Sequence, residues 1–250
     1  GDGIPDYVDP AVTQGKSNGD PHLHFAHGGE ADFRGQNDKC YAFFSAPGLA
    51  VNVKVEESTF TLRGGKVAVN GSYLTEAHVV ASVDKGRREA TASFYASELD
   101  VHNMGWEVVR GNCAGRTFKF GKNGYKGCFE LEMRMGISSA IFTLRNWTVN
   151  VHGNFVYGWV SGPKHRIDVS LSARGDAAAR SLPHGLVGQS FSSTAPRHGK
   201  KDLYPVAGSF KTSAQAEGAI EGSVRNYELA GPYSTAFTFS RYDGKEAAAP

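Results

Sequence analysis

The sequence predicts an all-β protein, an antiparallel β-sandwich of many short strands with at most one short helix. From residue 38 onward, apolar residues recur with a period of two, as they do on strands that bury one face. Turn-forming residues are frequent, with 31 Gly in 250 residues. They separate the apolar segments roughly every 8–12 residues, which is typical of a sandwich or a barrel.

The individual strands are predicted from this alternation. It is clearest from Leu49 to Val55, with apolar side chains on one face and polar side chains, expected in solvent, on the other. Gly64-Gly65 and Arg145-Asn146 mark tight turns. Residues 175–182 are the one helical segment, which Pro183 ends. The remaining predicted strands are 59–62, 66–69, 72–83 with an interruption near Glu76, 90–96, 107–110, 117–120, 129–134, 138–144, 147–151, 155–160 and 167–172.

One domain is predicted over residues 19–243, between an acidic linker at 1–18 and a flexible tail at 244–250. Basic and acidic residues nearly balance, 27 against 25, so charge gives no reason to expect nucleic acid as a partner. No run of about 18 apolar residues is present, so membrane insertion is not expected. The chain begins at Gly1 without a leader, which indicates a piece processed from a longer protein.

The three cysteines are too few for a disulfide scaffold. Cys113 and Cys128 flank a turn-rich stretch and are predicted to form a disulfide. Cys40 is expected to be a buried thiol, with a nucleophile or a tether to another chain as alternatives. Asn70 and Asn146 lie in glycosylation sequons. Together with the disulfide, these sequons indicate a secreted or cell-surface glycoprotein.

Asp2, Asp6 and Asp9 in the linker are candidate calcium ligands. Their carboxylates lie four and three residues apart beside Gly3, and hard oxygen ligands on a tight turn suit Ca²⁺. The pattern resembles the D-G-x-x-D-x-x-D half of a thrombospondin type 3 calcium repeat, without the acidic half that precedes it. Calcium is the cofactor that this linker suggests.

One short stretch concentrates the chemically distinctive residues. It opens with Gly19-Asp20-Pro21-His22 and continues through His24 and His27. Since alternate strand residues share a face, His22 and His24 could hold a transition metal, with Glu30 or Asp32 completing the site. The interpretation that we favour is structural, with Asp20 and His22 capping a hairpin through hydrogen bonds to the backbone.

Two motifs carry a resemblance to a known family. Gly19-Asp20-Pro21-His22, followed by Phe25 and by Phe33-Arg34-Gly35, resembles the opening G-D-P-H…F-x-G motif of von Willebrand factor type D domains. Downstream, Pro183-His184-Gly185-Leu186-Val187-Gly188-Gln189 resembles the G-L-C-G-N segment of that family. It is more similar to the P-H-G-L-x-G-Q segment in the C-terminal region of inter-alpha-trypsin inhibitor heavy chains, a related cysteine-poor variant. The resemblance covers about residues 19–205.

The resemblance implies a secreted or surface module that acts in adhesion, matrix or polymer assembly. The chain departs from the family at Val187, where a cysteine is usual, and in the loop 189–202, where Asp202 is the only carboxylate among several cations. The calcium site that the family holds in this loop is therefore not expected here. His184 is expected in a turn that packs near the first motif, with a general base as the alternative.

Aromatic residues recur at Trp147, Phe155, Tyr157 and Trp159. Packing between two sheets is the favoured interpretation, and a platform for a sugar ring or a partner is the alternative. The basic run 197–201 is expected in a solvated loop. The sequence contains no nucleophile-elbow, zincin, phosphate-loop or dinucleotide motif, which lowers the expectation of an enzyme.

The leading hypothesis is a non-catalytic extracellular structural or adhesive module of a larger secreted or surface protein. Its expected partners are other protein chains, including copies of itself in a matrix or filament, or a glycan. The first alternative is a metal-dependent enzyme or luciferase-like oxidase centred on His22, His24 and His27, since some secreted luciferases contain type D modules. The second is a carbohydrate-binding module that uses Trp159.

Overall fold

The computed structural model describes residues 13–99 and 107–244, which form a β-sandwich of mostly antiparallel strands, and this confirms the predicted fold class. Within these residues, one sheet has eight strands and the other has nine. The one α-helix in them, α1 (Ala177–Ser181), is short and ends before Pro183, as predicted. No helix in the described ranges is long and apolar enough to span a bilayer.

Most of the predicted strands are present, but a turn at residues 157–158 divides the predicted strand 155–160. In chain order they are β1 (Thr13–Asn18), β2 (His22–His24), β3 (Glu30–Asp32), β4 (Lys39–Ala46), β5 (Leu49–Leu62), β6 (Val67–Val83), β7 (Arg88–Tyr95), β8 (Val109–Cys113), β9 (Arg116–Phe120), β10 (Tyr125–Cys128), β11 (Leu131–Met135), β12 (Ser139–Leu144), β13 (Trp147–Phe155), β14 (Trp159–Ser161), β15 (His165–Ala173), β16 (Gly208–Lys211) and β17 (Glu228–Leu229). The first sheet has the spatial order β10-β11-β12-β13-β15-β1-β2-β3. The second has the order β17-β4-β5-β6-β7-β8-β9, with β14 on β5 and β16 on β6.

Strand β1 corrects the predicted domain boundary. Residues 13–18, expected in the linker, lie inside the first sheet, where β1 pairs with β15 on one side and with β2 on the other. The sandwich therefore includes residues from Thr13 onward. Asp2, Asp6 and Asp9 lie outside the described residues, as does the tail from residue 245.

The hairpin of β5 and β6 runs the length of the second sheet. Its turn lies at Gly64-Gly65, as predicted. The predicted interruption near Glu76 is a bulge within one continuous strand, because Lys54 pairs with Glu76 while Val55 pairs with Leu74. The far end of the hairpin carries a small second core around Phe60.

The main core lies between the two sheets. Inward-facing residues of both sheets form a single buried cluster, which also includes Phe191 from the segment after α1. Phe44 of the second sheet and Trp147 of the first meet edge to face, with ring centroids 4.5 Å apart. Phe191 packs against both rings. The chain after residue 183 is thus part of the core.

The outer face of the second sheet is also covered, contrary to the expectation of a solvent-exposed face on β5. The C-terminal segment, residues 224–244, crosses this face. Asn52 is 1% exposed, and its Nδ2 donates hydrogen bonds to the carbonyls of Pro232 at 2.7 Å and Ser234 at 2.9 Å. The part of this face around Asn52 is therefore buried beneath a second layer of chain.

A disulfide closes one side of the sandwich. Cys113 ends β8 in the second sheet and Cys128 ends β10 in the first, and the two are bonded as predicted. Within the described residues, β9 and β10 are the last strands of their sheets, so the bond joins the sheets where both end. Cys40 is a free thiol and is buried, as expected.

Candidate functional site

His22 of the first motif is held between two carboxylates. Its Nε2 lies 3.1 Å from Oδ1 of Asp20, and its Nδ1 lies 2.6 Å from Oδ1 of Asp32. The hydrogen bond to Asp20, together with that to Asp32, outweighs the effect of burial and raises the pKa of His22 to about 9. The imidazole is therefore charged at neutral pH, and the three side chains form one ion cluster.

The same carboxylates hold the chain that follows the second motif. The hydroxyl of Tyr204 donates to Oδ2 of Asp20, and the backbone N–H of Asp202 donates to Oδ2 of Asp32 at 2.7 Å. Among the described residues, the side chains of Asp20 and His22 form no hydrogen bond to the hairpin backbone, which corrects the expected capping. Their side chains bind each other and tie two distant parts of the chain together.

The three histidines do not converge. His24 lies on the same face of β2 as His22, as predicted, but its Nε2 is hydrogen bonded to Oδ1 of Asn18 at 3.1 Å. Burial lowers the pKa of His24. His27 lies in the turn between β2 and β3. In the described ranges, no group of three or more His, Cys, Asp or Glu side chains is arranged to hold a metal ion.

The second motif lies along the edge of β4. Backbone N–H groups of Leu186 and Val187 donate to carbonyls of β4 at 2.9 and 3.0 Å. Gly185 has φ 110°, and a Cβ there would lie 2.7 Å from the carbonyl oxygen of Phe43. Only glycine combines this φ with so close an approach between backbones. The motif therefore shields the part of β4 that lies beyond its short pairing with β17.

The side chain of His184 also helps to hold the second motif in place. Its Nδ1 accepts a hydrogen bond from the N–H of Gly185 at 2.9 Å, so its Nε2 carries the proton and donates to Glu221 at 3.1 Å. Its ring stacks on Phe239, with centroids 4.6 Å apart, and burial lowers its pKa. These neighbours belong to the chain that follows the second motif, whereas the sequence placed His184 near the first.

The two motifs meet just beyond the second one. Oγ of Ser190 accepts a hydrogen bond from the N–H of Ala26 at 3.0 Å and donates to the carbonyl of Val187 at 2.6 Å. Further on, residues 197–200 run beside residues 28–32 through three backbone hydrogen bonds. Gly29, with φ 86°, leaves no room for a side chain there, since a Cβ would lie 2.0 Å from the carbonyl oxygen of Arg197. The backbone of this loop is thus pinned to the first motif, while the side chains of His198, Lys200 and Lys201 are exposed, as expected of a solvated loop.

Three of the four aromatic residues that were predicted to pack between the sheets lie at the surface, which corrects that prediction. Trp147 is buried, but Phe155, Tyr157 and Trp159 are 59%, 78% and 42% exposed. Nε1 of Trp159 donates to a backbone carbonyl in the next turn at 3.1 Å, and Nζ of Lys164 lies 5.0 Å from the centre of its ring. We refer to Phe155, Tyr157 and Trp159 as the aromatic hairpin.

The two sequons differ in their surroundings. Asn146 is exposed in the turn between β12 and β13. Asn70 is also exposed but lies within β6, where its Oδ1 accepts a hydrogen bond from Nη2 of the buried Arg34 at 2.8 Å. Asn146 is the more accessible acceptor, since it lies in a turn, whereas Asn70 lies in a strand that pairs with β5 and β16.

A polar row on the outer face of the second sheet could not be recognised from the sequence pattern. Cys40, Lys54 and Glu76 are direct neighbours across β4, β5 and β6. Burial disfavours the charge on Lys54, but the hydrogen bond that its Nζ donates to Asp38 and the field of Glu76 outweigh burial and raise the pKa of Lys54 to about 12. The alternation in the sequence correctly placed Lys54 on the polar face of its strand. Its neighbours were not identifiable because strand pairing was unknown.

Burial raises the pKa of the Cys40 thiol in this row, so the nucleophilic thiolate is disfavoured.

No protein-family model matches the chain, and no curated protein matches it significantly.

Proposed function

We propose that the chain is a non-catalytic extracellular structural or adhesive module of a larger secreted or surface protein, related to von Willebrand factor type D domains. The two motifs that carry the resemblance are joined at one corner through Ser190. Their histidines, His22 and His184, use both ring nitrogens in contacts that hold the chain together. The disulfide supports an oxidising, extracellular setting.

The aromatic hairpin carries the adhesive part of this proposal. Clusters of large exposed apolar side chains on a folded protein commonly mark interaction sites, and aromatic residues dominate interface energetics. The hairpin is also firmly placed, because β14 pairs with β5 and the Trp159 indole is hydrogen bonded to the backbone. A preformed aromatic surface loses little conformational entropy when it binds another chain.

Sedimentation velocity over a wide concentration range tests this surface in self-assembly. We expect wild-type protein to associate and the Tyr157→Ser/Trp159→Ser variant to remain monomeric, since a central aromatic contact is worth about 2 kcal/mol or more. Phe129→Ser is the matched control, because Phe129 is 52% exposed but lies outside the hairpin. Wild-type protein that stays monomeric and binds no purified matrix protein would contradict the adhesive proposal.

A second candidate function is carbohydrate binding, favoured by the exposure of Trp159. An indole fixed by its Nε1 hydrogen bond presents a flat surface on which a sugar ring can stack. A glycan array should then show a ligand that Trp159→Ala loses and Phe129→Ala retains. Absence of any glycan bound by the wild type would remove this candidate.

The metal-dependent enzyme has no comparable support among the described residues, since carboxylates occupy both ring nitrogens of His22. Metal analysis of the purified protein tests it directly. Stoichiometric metal that the His22→Ala/His24→Ala variant loses would replace the structural proposal with the enzymatic one.

A further inference from the structure

A cleft of about 780 Å³ opens on the outer face of the second sheet, where the C-terminal segment meets the polar row. Cys40, Lys54 and Glu76 line it together with His78 of β6. Residues 37–39 and 228–232 border it. Its size is within the range of sites that hold small ligands.

His78 provides an unfilled hydrogen-bonding position at this cleft. It is 1% exposed, and its Nδ1 lies 2.6 Å from Oγ of Ser93, which in turn lies 2.7 Å from the hydroxyl of Tyr233. Its Nε2 is 3.3 Å from Oε2 of Glu76 but lacks hydrogen-bond geometry, so it has no hydrogen-bond partner among the described residues. Buried polar atoms nearly always have a partner. A ligand group that enters beside Glu76 can supply it.

Charge around Lys54 favours a cationic group. Three carboxylates surround its ammonium group, with Nζ 3.2 Å from Asp38, 3.2 Å from Glu76 and 3.9 Å from Glu56. This end of the cleft therefore has more negative than positive charge, and a second ammonium group is attracted to it.

The β17 end of the cleft favours an anionic group. Lys39 and Glu228 pair there at 2.7 Å and neutralise each other. Arg225 also lines the cleft, is exposed, and forms no ion pair with any described residue. Its guanidinium group is free to bind a carboxylate in two-point geometry.

The separation of the two ends sets the length of the ligand. β17, β4, β5 and β6 are successive neighbours, so three strand spacings separate Glu228 from Glu76. At about 4.8 Å per spacing this is about 14 Å. An extended chain advances about 3.4 Å per residue, so a peptide of three or four residues covers most of this distance.

We propose that this cleft binds a short zwitterionic peptide. Its terminal ammonium group lies on the carboxylates around Lys54, and its terminal carboxylate lies on Arg225. His78 Nε2 hydrogen-bonds to the peptide beside Glu76. This binding activity is independent of the aromatic hairpin, which lies on β13 and β14.

Isothermal titration calorimetry of the intact protein with trialanine tests the proposal. We expect trialanine to bind and its N-acetylated, C-amidated form, which lacks both charges, to bind at least about tenfold more weakly. Arg225→Gln should weaken trialanine binding by a similar factor. Because Arg225 is exposed, this variant should keep its fold, which circular dichroism checks.

Arg116→Gln is the control, since Arg116 is an exposed arginine of β9 outside the cleft. It should bind trialanine as the wild type does. Equal affinity for the charged and capped peptides, an unchanged affinity in Arg225→Gln, or no measurable binding of trialanine would each overturn the proposal.

Discussion

The ion cluster of Asp20, His22 and Asp32 makes a quantitative prediction about stability and pH. The pKa of His22 is 6.5 in the unfolded chain and about 9 in the folded one. A group whose pKa rises on folding stabilises the fold fully below the lower pKa, and this stabilisation is lost as pH rises through the higher one. We therefore expect the contribution of His22 to be complete at pH 6 or so and lost between about pH 6.5 and 9.

The magnitude follows from the two pKa values. At about 1.36 kcal/mol per pH unit, their difference corresponds to roughly 3.4 kcal/mol. The His22 side chain is 36% exposed, so solvent screens the cluster, and we expect about 1–2 kcal/mol. A loss of this size is measurable against the total stability of a domain.

Urea unfolding of the oxidised protein at about pH 6 and about pH 9.5 measures this loss. At each pH, the measured quantity is the free energy of unfolding of the wild type minus that of His22→Gln. This difference should be about 1–2 kcal/mol larger at the lower pH than at the higher pH. His27→Gln changes a nearby histidine outside the cluster and should follow the wild-type profile. A wild-type advantage that is equal at both pH values, or a His22 titration midpoint near 6.5 by NMR, would refute the reasoning.

Three further variants test the scaffold by thermal or urea unfolding. Replacing both Cys113 and Cys128 by Ser should lower the free energy of unfolding by about 3 kcal/mol, because the disulfide closes a loop of 15 residues. A reductant should not change the stability of this double variant. Arg34→Met should lower the free energy of unfolding by about 3 kcal/mol. Arg34 is 8% exposed, and the variant loses its hydrogen bonds to Asn70 and Thr212 and its ion pair with Glu57. A decrease below about 1 kcal/mol would contradict this expectation. Gly29→Ala should lower the free energy of unfolding by about 2 kcal/mol more than Gly28→Ala does. Both glycines have positive φ, but only a Cβ at Gly29 clashes with a neighbouring backbone. Equal decreases in the two variants would exclude the clash.

Local features of the fold were predictable from sequence. The alternation of β5, the turn at Gly64-Gly65 and the short helix before Pro183 each depend on neighbouring residues, and all three appear as predicted. The Cys113–Cys128 disulfide was also predictable, because only a short stretch separates the two residues. These features need no knowledge of which strands are partners.

The aromatic hairpin shows where alternation misleads. Phe155, Tyr157 and Trp159 alternate like the inward face of a strand, yet all three are exposed. Gly158, with φ 65°, ends the extended run between Tyr157 and Trp159, and β14 then pairs with the outer part of β5. A period of two identifies residues that share a face only while the strand is continuous.

The first motif shows a different limit. Its composition singled out Asp20 and His22 as hairpin caps and Asp32 as an alternative metal ligand, and the structure brings the three side chains together in one ion cluster instead. Their contacts with Asp202 and Tyr204 were not predictable, because residues about 180 positions away in the chain supply them. Sequence patterns locate polar clusters but do not identify the distant chain that covers them.

The C-terminal segment explains why the candidate peptide cleft escaped prediction as well. Alternation on β5 separated Asn52 and Lys54 from the valines correctly, but it could not show whether their face meets water or protein. Because the segment covers Asn52 and His78 and leaves Lys54 at the edge of its cover, a buried polar layer meets an open cleft there. Desolvated hydrogen-bonding groups beside an accessible space are what a polar ligand requires. The chemistry of this face thus depends on a segment far from β5 in the chain.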